Sequence, residues 1–165
     1  MEYLEVWEEE AKGRRVMVLA PDLSSAVRNG TMDLKLLYEL VDEIASRFPV
    51  DKERMILAGV SAGALIARRM LIDRPSYKWK AVIFIASPDD PWPSYVDVKS
   101  FPSVLFVHGA YDDQFKLENI KQSVMSLKEK GVDTELIQDP EGGHEHNEEW
   151  NKEIFDWIEA HSSIK

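Results

Sequence analysis

Short apolar runs alternate with amphipathic segments along most of this chain. The runs are rich in Val, Ile and Leu, which is typical of strands buried on both faces of a sheet. The segments between them place apolar residues three or four positions apart, as the buried face of a helix requires. The predicted strands are 16–20, 54–58, 81–85, 104–107 and an edge strand at 132–137; the predicted helices are 4–12, 32–47, 62–72, one around 117–127 that Gly131 ends, and one from Trp150 onward.

This alternation predicts an α/β fold. Strands that alternate with helices form a mostly parallel sheet, because parallel strands need a crossover connection between them. We therefore expect three layers, with about five strands and with helices on both faces, in a single domain over residues 1–165. Right-handed crossovers place the C-terminal ends of all strands along one rim, where α/β sheets bind their ligands.

Composition narrows the classes of function. The formal net charge of −10 argues against a nucleic-acid partner and disfavours anionic substrates. The lack of cysteine excludes disulfides, thiolate metal sites and a cysteine nucleophile. No apolar run approaches the roughly 18 residues of a membrane span, and the first residues lack the pattern of a signal peptide. We therefore expect a cytoplasmic protein.

The segment Gly59-Val60-Ser61-Ala62-Gly63 has the pattern G-x-S-x-G between a predicted strand and a predicted helix. In that context the pattern predicts a nucleophile elbow, a sharp turn that exposes the serine hydroxyl. We expect both glycines to be needed, because a side chain would clash where the turn crowds the backbone. The same pattern also occurs in ordinary loops, so its interpretation depends on other residues at the same rim.

Two further loops at this rim carry candidate acids and bases. Asp112 and Asp113 follow the strand at 104–107, and His144 and His146 follow the last strand. Serine, aspartate and histidine therefore occur in the chain order that α/β-hydrolases use. A serine hydroxyl needs a base to take its proton, and a carboxylate fixes the tautomer of that histidine.

On these motifs the chain resembles the α/β-hydrolase superfamily, close to its small phospholipase/carboxylesterase and dienelactone-hydrolase-like branches. The resemblance covers nearly the whole chain from Trp7 onward. It rests on Ala-Pro-Asp at 20–22, Phe-Pro-Val-Asp-Lys-Glu-Arg at 48–54, the G-x-S-x-G pattern, His-Gly at 108–109 ahead of Asp112, and Gly-His at 143–144. It implies a serine esterase that works through an acyl-enzyme intermediate and needs no cofactor.

The resemblance also implies roles for single residues. Ser61 would be the nucleophile, Asp112 rather than Asp113 the acid, and His144 rather than His146 the base. His108 would shape the end of its strand rather than react.

The N-terminal part of the chain departs from this resemblance. Members of the superfamily carry further strands ahead of the helix that corresponds to residues 4–12, and the loop after one of them donates an N–H group to the oxyanion hole. Here the Ala62 N–H is the donor that the motif supplies. Several explanations stay open: strands 16–20 and 54–58 pair directly, another chain fills the gap, the exposed edge forms a homodimer, or Met1 is an internal residue of a longer protein.

Other residues allow weaker interpretations. Trp92 and Tyr95 lie in the loop after strand 81–85 and are candidates for lining an acyl or alcohol pocket. His144 and His146 lack the helical spacing of an H-E-x-x-H metal site, so we expect no metal. His161, near the C-terminus, is expected to be exposed to solvent.

The leading hypothesis is therefore a serine esterase of small esters or thioesters. The alternative is a non-catalytic hydrolase-like module that acts in interaction or assembly. A peptidase is the weaker third option, because amide leaving groups demand a better oxyanion hole.

Overall fold

The protein is described by a computed structural model that covers residues 3–23, 32–74, 77, 79–92, 96–98 and 101–162. The chain divides into two compact units, Met1–Val50 with Asn147–Glu159, and Asp51–His146 with Ala160–Lys165. The helices are α1 (Tyr3–Arg14), α2 (Leu34–Arg47), α3 (Ala62–Asp73), α4 (Leu117–Glu129) and α5 (Trp150–Ser162), with a short 3-10 helix at Lys52–Arg54; the strands are β1 (Ile56–Val60), β2 (Ala81–Ile85), β3 (Ser103–Gly109) and β4 (Thr134–Asp139).

A parallel sheet forms the centre of the second unit. Its four strands lie in the order β1-β2-β3-β4, and every neighbouring pair within the described residues is parallel. All five residues of β2 are buried, as expected of a strand covered on both faces. The register pairs Val60 with Ile85 and Ile85 with Val107, so the C-terminal ends of the first three strands lie side by side.

Helices α3 and α4 pack on this sheet, α3 against β1 and β2 and α4 against β3 and β4. The end of α4 follows from Gly131, which has a φ of +84°. The N–H of Val132 bonds to the Leu127 carbonyl and the N–H of Gly131 to the Lys128 carbonyl. This is the pairing of a Schellman cap, so Gly131 ends the helix as the sequence predicts.

The first unit contains α1, α2 and most of α5. Most of its buried side chains are aromatic or aliphatic, and the rings of Trp7 and Phe155 meet edge to face at 5.7 Å. Arg14 forms ion pairs with Glu10 and Asp156 at the surface of this unit. Among the described residues, no helix has the length and hydropathy that a membrane crossing would require.

The α/β class and the mostly parallel sheet are confirmed, but one expected strand is wrong. Residues 16–20 are described and do not form a strand. Val16 and Met17 are 41% and 50% exposed. A strand exists only where a neighbour accepts its backbone hydrogen bonds, and an apolar run alone does not supply that neighbour. The described residues therefore form four strands rather than five.

The predicted strand at 54–58 is displaced by two residues. Asp51 accepts a hydrogen bond from the Glu53 N–H and caps the 3-10 helix, so the strand starts only at Ile56. β1 and β4 are the edges of the sheet. The single domain and the edge-mediated homodimer stay predictions.

Candidate active site

Ser61 occupies a strained turn between β1 and α3. Its φ of 50° and ψ of −116° lie in a region that residues with a side chain seldom adopt. Its N–H bonds to the Ile85 carbonyl at the end of β2, and its carbonyl accepts the N–H of Ala64 in the first turn of α3. These two bonds fix the turn from both sides. Ser61 therefore has the geometry that the G-x-S-x-G pattern predicts.

The two glycines of the pattern differ. A Cβ on Gly59 would overlap the carbonyl of Gly63 and lie 2.7 Å from Cα of Ala64. Strand and helix thus approach so closely that only glycine fits at Gly59. A Cβ on Gly63 would meet nothing within 4 Å among the described atoms. The steric requirement expected for Gly63 is therefore wrong, because the turn crowds the strand side and not the helix side.

A chain of hydrogen bonds joins Ser61 to His144 and Asp112. Ser61 Oγ lies 2.8 Å from His144 Nε2, and His144 Nδ1 lies 2.9 Å from Asp112 Oδ2. An ionised carboxylate only accepts, so the proton of a neutral imidazole is on Nδ1. Nε2 then accepts the hydroxyl proton of Ser61. The three residues come together although they are far apart in the sequence.

Asp112 is held in place by its own loop. Its side chain is 0% exposed, and its Oδ1 accepts the N–H groups of Gln114 and Phe115, each at 2.8 Å. Burial by itself would raise the pKa of Asp112. The N–H of Phe115, the His144 ring, the N–H of Gln114 and the nearby His108 outweigh that effect and lower the pKa below its ordinary value. Asp112 is therefore an ionised acceptor.

The acid loop and the histidine loop are in backbone contact. A Cβ on Gly109 would overlap the carbonyls of Gly142 and Gly143. The N–H of Tyr111 bonds to the Gly142 carbonyl at 2.8 Å, and the N–H of Ala110 bonds to the Asp139 carbonyl. Gly109 thus allows the loop after β3 to lie directly against the loop after β4. Sequence reasoning missed this role, although the His-Gly pair at 108–109 was a visible signal.

The side chains next to the three residues also make specific contacts. The ring of Phe115 packs edge to face on the His144 ring at 5.2 Å. His108 is buried beside Asp112, with its Nε2 at 3.3 Å from Asp112 Oδ2 and 2.9 Å from the Phe115 carbonyl oxygen. No feature of the sequence indicated that Phe115 would contact the histidine.

Asp113 and His146, the alternative candidates for acid and base, do not take part in this chain of hydrogen bonds. Asp113 is exposed, whereas its neighbour Asp112 is buried. His144, and not His146, is the ring that bridges Ser61 and Asp112. Ala62 opens α3, so its N–H has no carbonyl partner within that helix.

Trp92 is half-buried in an aromatic group. Its ring packs on Phe84 and Phe101, and the Arg68 guanidinium lies over it at 4.6 Å. A crevice lined by Trp92 and Phe84 has a volume of only about 10 Å³, which is too small for an acyl group. Trp92 therefore serves packing in this structure. Tyr95, the other pocket candidate, lies outside the described residues.

One group of side chains in the described residues has metal-ligating atoms close together. His161 Nε2 lies 3.3 Å from Glu135 Oε1 and 3.6 Å from Asp133 Oδ2. The His161 side chain is half-buried beside these carboxylates rather than exposed as expected. Both carboxylates are exposed, and such groups are common on protein surfaces without an ion.

Comparisons with known proteins agree with this fold. A model of the prolyl oligopeptidase family matches residues 88–165. Curated protein sequences give no significant match. Solved structures of similar fold include esterase PE8 (19% identity, TM-score 0.60, 77% of this chain and 59% of that one), SOBER1 from Arabidopsis thaliana (21%, 0.64, 87% and 68%) and the Bacillus cereus carboxylesterase (18%, 0.63, 76% and 58%).

In each comparison, the match covers a larger share of this chain than of the solved structure. This chain spans about 59% of the length of esterase PE8 and 58% of the Bacillus cereus enzyme. Together with the family match over residues 88–165, this likeness shows that the chain has the fold of the α/β-hydrolases.

Proposed function

We propose that this chain is a serine hydrolase that cleaves small acyl esters or thioesters through an acyl-enzyme intermediate. The observation that carries the proposal is the continuous hydrogen-bonded chain from Ser61 through His144 to Asp112. The similar structures named as esterases support the same class of reaction. The net charge of −10 favours uncharged or cationic substrates over anionic ones.

Each residue has a defined task in this reaction. His144 Nε2 takes the hydroxyl proton as Ser61 Oγ attacks the carbonyl carbon of the ester. Asp112 holds the ring orientation and stabilises the imidazolium that forms. The imidazolium then protonates the departing alcohol or thiol, which leaves Ser61 acylated. A water molecule, deprotonated by His144, attacks the acyl-enzyme, and the acid is released with Ser61 restored.

The negative charge that develops on the carbonyl oxygen needs hydrogen-bond donors. The Ala62 N–H, directly after Ser61, supplies one donor, and a second one is not assigned among the described residues. Loss of one such donor costs about 10²–10³ in rate in well-studied enzymes. Activated esters, whose leaving groups need less help, are therefore the expected substrates.

The test is labelling with a fluorophosphonate and turnover of a panel of p-nitrophenyl esters. We expect stoichiometric labelling of Ser61, mapped by mass spectrometry, and loss of labelling and turnover in Ser61→Ala. Ser46→Ala is the matched control, because Ser46 is an exposed serine of α2 that bonds only to the Glu43 carbonyl. A folded wild-type protein with neither labelling nor turnover would favour the alternative, a non-catalytic module.

A peptidase is the second candidate, favoured by the match of residues 88–165 to the prolyl oligopeptidase family. The two candidates predict different ratios of kcat/KM for an ester and a peptide anilide with the same acyl group. An esterase with one donor for the oxyanion prefers the ester by several orders of magnitude. Comparable values for both substrates would favour the peptidase.

A further inference from the structure

His108 is the most deeply buried histidine of this protein, with 1% of its surface exposed. It lies on β3, directly before Gly109, and its ring faces the acid loop. Its Nδ1 is buried and has no hydrogen-bond partner among the described residues. An unpaired buried nitrogen lowers the free energy of unfolding, so filling space in the core does not explain this choice of residue.

The position of the proton on His108 follows from its partners. Nε2 lies 2.9 Å from the Phe115 carbonyl oxygen, which only accepts hydrogen bonds. Nε2 therefore carries a proton, which it donates to this carbonyl. Nε2 also lies 3.3 Å from Asp112 Oδ2, beside the hydrogen bond that it donates to the carbonyl.

The carboxylate oxygen closest to Nε2 also binds His144. Asp112 Oδ2 accepts the Nδ1–H of His144, while Oδ1 accepts the N–H groups of Gln114 and Phe115. Phe115 in turn packs its ring on His144. His108 thus holds Phe115 from one side while Phe115 holds both Asp112 and His144.

We infer that His108 is a positioning residue for the reaction, whose Nε2–H holds the Phe115 carbonyl and, through Phe115, keeps Asp112 and the ring of His144 in place. It does not touch the substrate. This inference rests on the proposed function, because it assigns a part of the same site. Its loss would leave the reacting groups present but loosely oriented, and misplacement of this kind lowers kcat more than it raises KM.

The experiment compares variants that keep or lose a donor at the position of Nε2. His108→Gln can place an amide N–H there, whereas His108→Met fills the space without one and His108→Asn places its amide nearer the position of Nδ1. His161→Met is the matched control, a histidine outside the site. The readouts are the fluorophosphonate labelling rate of Ser61, kcat and KM on an ester, and the proton NMR signal of His144 Nδ1–H.

We expect His108→Met to lower kcat and the labelling rate about ten- to hundredfold with little change in KM, because a misplacement of the reacting groups by about 1 Å costs roughly 100-fold in rate. His108→Gln should recover most of the loss, and His161→Met should behave as wild type. If His108→Met does not fold, His108→Asn takes its place. A folded His108→Met or His108→Asn that labels and turns over like wild type overturns the inference.

Different measurements test the role of His108 and the proposed function. Absence of labelling in the wild-type protein argues against the proposed function, and the NMR signal then decides about His108. A low-field His144 Nδ1–H signal that moves in His108→Met and stays in His108→Gln supports positioning. The same signal in all variants, or its absence from the wild type, overturns it.

Discussion

The groups on the two sides of Ser61 are held by different numbers of contacts. On one side, Asp112 and His144 are fixed by backbone donors, by Phe115 and by the contact between the loops after β3 and β4. On the other side lies the free edge of β1, where Ala58 is exposed, and the Ala62 N–H is the donor assigned there. Under the proposed function, proton transfer would depend on contacts within one compact unit, whereas the oxyanion would have the Ala62 N–H as its assigned donor.

The largest effect is expected from His144→Ala, which removes the ring that bridges Ser61 and Asp112. Without the base, the hydroxyl of Ser61 keeps its proton, and we expect kcat to fall by about 10⁴–10⁶. Ester turnover and the fluorophosphonate labelling rate measure this effect. A residual activity within tenfold of wild type would show that another group, such as His146, acts as the base.

The next largest effect is expected from a substitution that separates the loops after β3 and β4. Gly109→Ala inserts a methyl group into the carbonyls of Gly142 and Gly143, so the acid loop and the histidine loop must separate. A misplacement of about 1 Å costs roughly 100-fold in rate, and we expect a fall in kcat of that size. Gly13→Ala is the control, because a Cβ there meets nothing within 4 Å. Equal kcat in both variants would contradict the proposed coupling of the loops.

The elbow itself provides a matched pair of substitutions. Gly59→Ala should lower the free energy of unfolding by about 1–3 kcal/mol, because its methyl group overlaps the backbone of α3. Gly63→Ala should raise it by about 1 kcal/mol, because open space surrounds its Cβ and alanine favours the helix. Urea unfolding of the two variants measures both values. The same sign in both would show that the crowding is not confined to the strand side.

The smallest expected effect is a pH dependence of stability that comes from Asp112. Its pKa is lowered in the folded state, so its contribution to stability is present above the ordinary aspartate pKa of about 3.9 and is lost as the pH falls further. Asp112→Asn lacks this contribution, so its stability should fall less steeply than that of wild type below about pH 4. Urea unfolding at a series of acidic pH values compares the two slopes. Parallel slopes would mean that Asp112 is not held as an ionised acceptor.

Much of the fold could be predicted from local patterns. The strand at Ala81–Ile85 lies where the sequence predicts it, and α3 begins directly after Ser61. These elements follow from side-chain periodicity and from turn residues that act within a few positions. The chain order of serine, aspartate and histidine is likewise readable from the sequence, because each follows a predicted strand.

The tertiary structure decided what depends on distant partners. Residues 16–20 and residues 81–85 are both continuous apolar runs. The first run is largely exposed and does not form a strand, whereas the second is a buried strand between β1 and β3. The choice of Asp112 over Asp113, the contact of Gly109 with Gly142 and the place of His108 also depend on atoms far away in the sequence. Local sequence patterns set which elements could form and which residues could react. Which of them meet was decided by hydrogen-bond partners and close contacts that only the folded chain brings together.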